Sequence, residues 1–187
     1  MQLLAFCNLV APDRSAVTCG LQAISYDRSL MPYRAFDDQN CSIARTLAIV
    51  GERWTLLVLR EVLLGSRRFE EIRRRTGVAS NILSDRLATL VEHGVLSRDG
   101  DPPSYRVTPK GLDLQPVLLA LMAWGDRYTA GEAGPPVVPV HAACGHDANP
   151  RLHCSHCHEP IEPREVRIRP GPGANERQRS MGLLPQD

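Results

Sequence analysis

A chain of 187 residues has room for one ordinary domain and an appendage. Its 43% hydrophobic and 23% charged residues are those of a soluble globular protein, and a net charge of +1 argues neither for nor against a nucleic-acid partner. No run approaches the roughly 18 apolar residues of a membrane span. No basic residue precedes the short apolar patch in MQLLAFCNLVAPDRS, so neither a secretory leader nor a membrane partner is expected, and the expected compartment is the cytoplasm.

Residues 1–35 show no sustained periodicity and read as a flexible N-terminal extension, with Met31 a candidate true start. From Cys41 the pattern tightens. CSIARTLAIVG places Ile43, Leu47 and Val50 at helical spacing before Gly51. RWTLLVLREVLLG is apolar nearly all round, from Leu56 to Leu64, as expected of a buried helix closed by Gly65. RRFEEIRRRTG is short and amphipathic, with Phe69 and Ile72 inward and Arg67, Arg68, Arg73, Arg74 and Arg75 in water. After the turn VAS, SNILSDRLATLVEHG predicts a helix capped by Ser80 and ended by Gly94. Its core stripe is Leu83, Leu87 and Leu90, and Asn81, Ser84, Asp85 and Ala88 lie opposite.

VLSRDGDPPSYRVT predicts a hairpin turning at DGDPPS. TPKGLDLQPVLLALMAWGDRYTA predicts one long helix, capped by Thr108 and kinked at Pro116. The expected boundaries are 36–129 for this domain, 130–139 for a Pro/Gly linker, 140–168 for a Cys/His module and 169–187 for a disordered tail.

Three helices, a short turn between the last two, then a hairpin form the winged helix-turn-helix order. The fold class expected is mainly α with a small β-hairpin wing, plus a small Cys/His zinc-ribbon-like module. Local charge suits DNA: Cys41 to Lys110 holds twelve Arg or Lys against eight Asp or Glu. The second helix of the pair would present small polar side chains to the major groove. The candidate DNA contacts are Ser80, Asn81, Ser84 and Arg86 on that helix, Arg68 on the helix before it, and Arg98 and Arg106 on the hairpin. The plainer reading is a three-helix bundle with solvated arginines used for protein contacts, and Asp85 on the outer face is unfavourable for DNA.

The segment from Cys41 to Arg98 resembles the HxlR-type winged-helix transcription regulators. The matching elements are Cys41; Gly51, Arg53, Trp54 and Thr55; Leu59, Arg60, Gly65, Arg68, Phe69, Glu71 and Ile72; and Ser80, Leu83, Ser84, Arg86, Leu87, Leu90 and Gly94. YRVTPKGLDLQPVLLALMAWG resembles the family's last wing strand and C-terminal helix, so the likeness covers about 41–128. Ser42 departs from the proline the family often has after its cysteine, and the DPPS turn of the wing is short. The resemblance implies a homodimer joined through the first and last helices, reading an inverted-repeat operator in double-stranded DNA, as a repressor or an activator. It also implies that Cys41 senses an electrophile or oxidant; its place at a helix start, where amides favour anions, fits that role. A small residue at a dimer interface fits the position equally.

The last motif is His141-x2-Cys144 followed after nine residues by Cys154-x2-Cys157. Two x2 knuckles separated by a loop are the usual plan of a structural Zn2+ site. Three thiolates and one imidazole close the coordination sphere and leave no open position for catalysis, so no enzyme is expected. Regulators of this type with an extended C-terminus carry similar elements. His141 gives the symmetrical arrangement as fourth ligand, with His146, His156 and His158 as rivals. A protein-interaction module built from winged helix and zinc clip, or a zinc-dependent enzyme, are the alternative functions.

Overall fold

The computed structural model describes residues 39–180. The expected extension 1–35 and the start at Met31 lie outside those residues.

Helix α1 (Ser42–Val50) starts after Cys41, whose extended backbone makes it the N-cap, and ends where the Gly51 amide donates to the Leu47 carbonyl at 2.7 Å. It buries Ala44 and Val50 only. Helix α2 (Thr55–Leu63) buries Thr55, Val58, Leu59, Glu61 and Val62. Helix α3 (Phe69–Thr76) carries Glu70 and Glu71 in its first turn and three arginines in its last. That order is favourable to the helix dipole at both ends. Gly77 ends it in the left-handed region at φ 71°, a conformation that favours glycine. Helix α4 (Ser80–Glu92) buries Leu83, Leu87 and Leu90.

Strands β1 (Leu96–Asp99) and β2 (Ser104–Val107) pair antiparallel, with Leu96 opposite Val107 and Asp99 opposite Ser104. Leu96 and Tyr105 join Val58, Leu59, Val62, Ile72, Val78, Leu83, Leu87, Leu90 and Val95 in one apolar core. The expected winged helix-turn-helix is therefore present in element order and in packing.

Three expectations need correction. The long helix after the wing is two helices, α5 (Pro109–Leu112) and α6 (Gln115–Thr129). Pro116 lies in the first turn of α6, where a missing N–H costs no helical bond, so it starts a helix instead of kinking one. Ser80 is the first residue of α4 and Ala79 is its cap. Helix α2 is not buried all round, since Leu56, Leu57 and Leu63 are only partly buried and Leu64 beyond its end is 68% exposed.

The tail differs as well. Among its described residues, α7 (Glu176–Ser180) docks against the start of α1. Gln178 Nε2 donates to the Asn40 carbonyl at 2.6 Å, and Asn40 Nδ2 donates to Gln178 Oε1 and the Gly173 carbonyl, both at 2.7 Å. A composition that predicts disorder carries no trace of a reciprocal amide pair so distant in sequence. No helix among the described residues is long and apolar enough to cross a membrane.

Thr108 and Gly111 fasten α5 to the wing. Thr108 Oγ1 donates to the Gly94 carbonyl at 2.7 Å and accepts from the Gly111 amide at 3.1 Å. A Cβ on Gly111 would collide with the Val95 carbonyl and stand 2.8 Å from Val107 Cγ2. Backbone cannot yield there cheaply, so Gly111→Ala is expected to destabilise by about 1–3 kcal/mol, read as a lower urea midpoint at unchanged slope. An unaltered midpoint would mean that α5 is not seated on the hairpin.

Candidate nucleic-acid interface

The turn 77–79 that aims α4 is pinned by Val78, which is buried, and by Thr76 Oγ1, which accepts from the Val78 amide at 3.4 Å. With Leu83, Leu87 and Leu90 inside, Ser80, Asn81, Ser84, Asp85 and Ala88 all stand exposed on the outer face of α4. Arg86 does not join them. Two residues beyond Ser84 is about 200° around a helix, and its guanidinium turns inward to Glu52 at 3.5 Å.

The wing is attached on two sides. The Tyr105 amide donates to the Arg67 carbonyl at 2.9 Å, joining β2 to the loop before α3. Arg68 Nη1 donates to the carbonyls of Pro102 and Pro103 in the wing turn. Arg98 lies opposite Tyr105 and Arg106 opposite Ser97, so the two arginines leave opposite faces of the hairpin. Both are exposed. A cleft of about 860 Å³ separates wing from α4, with Arg68, Arg98 and Ser84 on its walls together with Glu70 and Glu92.

One set of residues escaped the sequence reading. Glu61, 5% exposed, accepts from Arg60 Nη2 at 2.7 Å and lies 4.0 Å from Arg75 Nη1. Arg75 also pairs with Glu71 at 3.4 Å, and Glu71 accepts from the Arg67 amide at 3.2 Å. This chain of charge ties the end of α2 to the whole of α3 and to the base of the wing. A lone glutamate within an apolar helix was the signal available.

Cys41 is half-buried, and its side chain makes no capping bond. Arg45 Nη1 donates to Asn40 Oδ1 at 3.3 Å and Nη2 to Ser42 Oγ at 3.4 Å, so the guanidinium sits over the residues flanking the cysteine.

The four expected metal ligands come together in pairs. His141 Nδ1 is 3.2 Å from Cys144 Sγ, and the Cys157 side chain hydrogen-bonds Cys154. The Cys157 amide, with the His156 amide and the Cys157 side chain behind it, holds the Cys154 thiol below its ordinary pKa. Among the described residues, no three His, Cys, Asp or Glu side chains converge on one point for a metal ion. His146 and His153 spend Nδ1 on carbonyls, those of Cys144 at 2.9 Å and His158 at 3.0 Å. The module borders α6 across a cleft of about 820 Å³ walled by Leu119, Met122 and Arg127 on one side and Val138, Pro139 and Leu152 on the other.

Comparison with known proteins bears on the interface. A family profile described as HxlR-like helix-turn-helix matches residues 49–133. An HTH-type transcriptional regulator of Mycobacterium bovis, Mb3122, is 46% identical over 137 residues, which is 71% of this chain and 87% of the relative. Among solved structures, PA1607, described as a proposed transcription factor, superposes with a TM-score of 0.65 at 33% identity, over 72% of this chain and 97% of that one. PA1374 of Pseudomonas aeruginosa, described likewise, gives a TM-score of 0.54 at 36% identity, over 75% and 99%.

The Arg86–Glu52 pair is testable by itself. A double-mutant cycle of Arg86→Ala and Glu52→Ala should return a coupling of about 0.5–1 kcal/mol, within the range of partly exposed pairs. A coupling of zero would put the Arg86 guanidinium back in solvent and on offer to a ligand.

Proposed function

Belonging to the HxlR-like helix-turn-helix family, this chain is a DNA-binding transcriptional regulator, and we propose that it acts as a homodimer on an inverted-repeat operator. The observation that carries the dimer is the pair of uncovered apolar faces on α1 and α6. Ile43 is 71% exposed, Trp124 62% and Tyr128 64%, and α6 buries no residue at all. A second copy covering the two faces would relate the two α4 helices by a two-fold axis, with half-sites about one helical turn, or 34 Å, apart. Ser80, Asn81 and Ser84 are then the readers of base edges, and Arg98 and Arg106 the phosphate contacts. Arg68 acts through the wing turn it holds, and Arg86 through the placement of α4. Repression follows if a bound dimer blocks the polymerase.

We assign the response to effectors to Cys41. A soft electrophile adding to its sulfur, with the thiol proton passing to water, puts bulk at the start of α1, within the proposed dimer interface. Cys41→Ser should bind the operator like the parent and no longer be released by a quinone, followed by fluorescence anisotropy. Equal release of both proteins removes Cys41 from the response.

The dimer and its DNA contacts are checked separately. Trp124→Glu should shift sedimentation at micromolar concentration from dimer to monomer, with unchanged circular dichroism. A parent that sediments as a monomer removes the proposed interface. Arg106→Ala should weaken binding to operator and scrambled duplex alike and reduce the slope of log affinity against log salt by about 1. Asn81→Ala should instead narrow the gap between the two duplexes. Parent protein that shows no salt-dependent operator binding would favour the protein-docking alternative.

A further inference from the structure

Residues 139–148 and 152–161 are two copies of one backbone. Three of the first copy's four backbone hydrogen bonds recur thirteen residues further along; the fourth, from the Cys144 amide to the His141 carbonyl at 3.2 Å, does not. The His141 amide donates to the His146 carbonyl at 2.8 Å, and the Cys154 amide to the Glu159 carbonyl at 2.9 Å. The Gly145 amide donates to the His141 carbonyl at 2.8 Å, and the His158 amide to the Cys154 carbonyl at 2.9 Å. The Ala148 amide reaches the Pro139 carbonyl at 2.7 Å, and the Ile161 amide the Leu152 carbonyl at 2.8 Å. The antiparallel bridge between Val140 and Asp147 is repeated between His153 and Pro160. Gly145 at φ 72° is matched by His158 at φ 62°, a non-glycine residue held in the left-handed region.

The equivalence assigns each side chain a role. His141 overlies Cys154, and Cys144 overlies Cys157, so both knuckles offer donors at their first and fourth positions. The rival histidines fall elsewhere: His156 overlies Ala143, His158 overlies the turn glycine, and His146 overlies Glu159. His146 is further engaged through Nδ1 by the Cys144 carbonyl. The 3.2 Å between His141 Nδ1 and Cys144 Sγ is close to the edge, about 3.5 Å, of a tetrahedron with ligands at 2.0–2.3 Å.

What holds this backbone is not a core. No residue from 139 to 161 is buried. Two short hairpins with nothing apolar inside are marginal in water. A metal ion is the usual remedy in a module of this size.

We propose that 139–161 is a twin-knuckle structural Zn2+ site with His141, Cys144, Cys154 and Cys157 as its four ligands, and that the ion draws together the two knuckles, whose donors meet here only in pairs. The inference is independent of the DNA reading. Three thiolates and one imidazole suit a tetrahedral ion and leave it no exchangeable position, so the site serves folding.

The test uses the full chain, purified without chelator and assayed for zinc by mass spectrometry. About one zinc per chain is expected for the parent and for His158→Ala, and a loss of at least tenfold for His141→Ala. His141→Cys, which makes the knuckles alike, should keep the metal and guards against a folding artefact at that position. Cobalt in place of zinc should give the intense visible bands of tetrahedral thiolate coordination. Zinc kept by His141→Ala, zinc lost from His158→Ala, or a parent that holds no zinc after refolding with it would each overturn the assignment.

Discussion

The structure depends on one short helix buried from several sides. Helix α2 touches α3, α4, β2 and α6, and its Val58, Leu59 and Val62 are inaccessible to solvent or nearly so. An interior packed at crystal-like density transmits displacement instead of absorbing it. Truncating Leu59 would open a cavity shared by several elements at once, so its cost belongs at the upper end of the roughly 2–5 kcal/mol seen for such changes. The direction of α4, and with it the exposed face of Ser80, Asn81 and Ser84, is set by what α2 buries.

Charge refines what packing sets. Glu61 is buried on α2, where an unpaired carboxylate would be expensive, and Arg60 and Arg75 offset that cost. Because Arg75 also holds Glu71, and Glu71 the Arg67 amide, the same network fixes the loop whose carbonyl receives the Tyr105 amide of the wing. Helix α3 and the wing are thus referenced to one point. Two arginines that the sequence offers as DNA contacts have partners within the fold, Arg68 in the wing turn and Arg86 at Glu52, whereas Arg98 and Arg106 stay exposed.

The helices α1 to α4 and the hairpin were legible because burial there follows simple periods: Leu83, Leu87 and Leu90 every three or four residues, DPPS between two strand-like runs. Arg86 was not, because spacing alone cannot say which partner a long side chain will find across the fold. The break at 113–114 was hidden because Pro116 has opposite meanings inside a helix and at its start. The candidate zinc ligands were legible from spacing, yet the repeat that distinguishes His141 from its rivals was not. Position by position the two knuckles share a single identical residue, Cys144 against Cys157, and their likeness lies wholly in the backbone.

Stabilisation is therefore divided along the chain. Residues 55–107 pay for their order with a core, whereas 139–161 bury nothing. Between them lies α6, whose apolar side chains, Leu118 apart, are covered neither by the core nor fully by the module. A helix that carries Leu121, Trp124 and Tyr128 into solvent is a liability in a lone molecule, since contiguous apolar surface attracts partners. In the proposed dimer the faces of α1 and α6 would gain a third means of stabilisation, supplied by another copy. Such a coupling would also give the N-terminus of α1 its place in control. Cys41, the Asn40–Gln178 clasp and the exposed Ile43 are neighbours along the chain there.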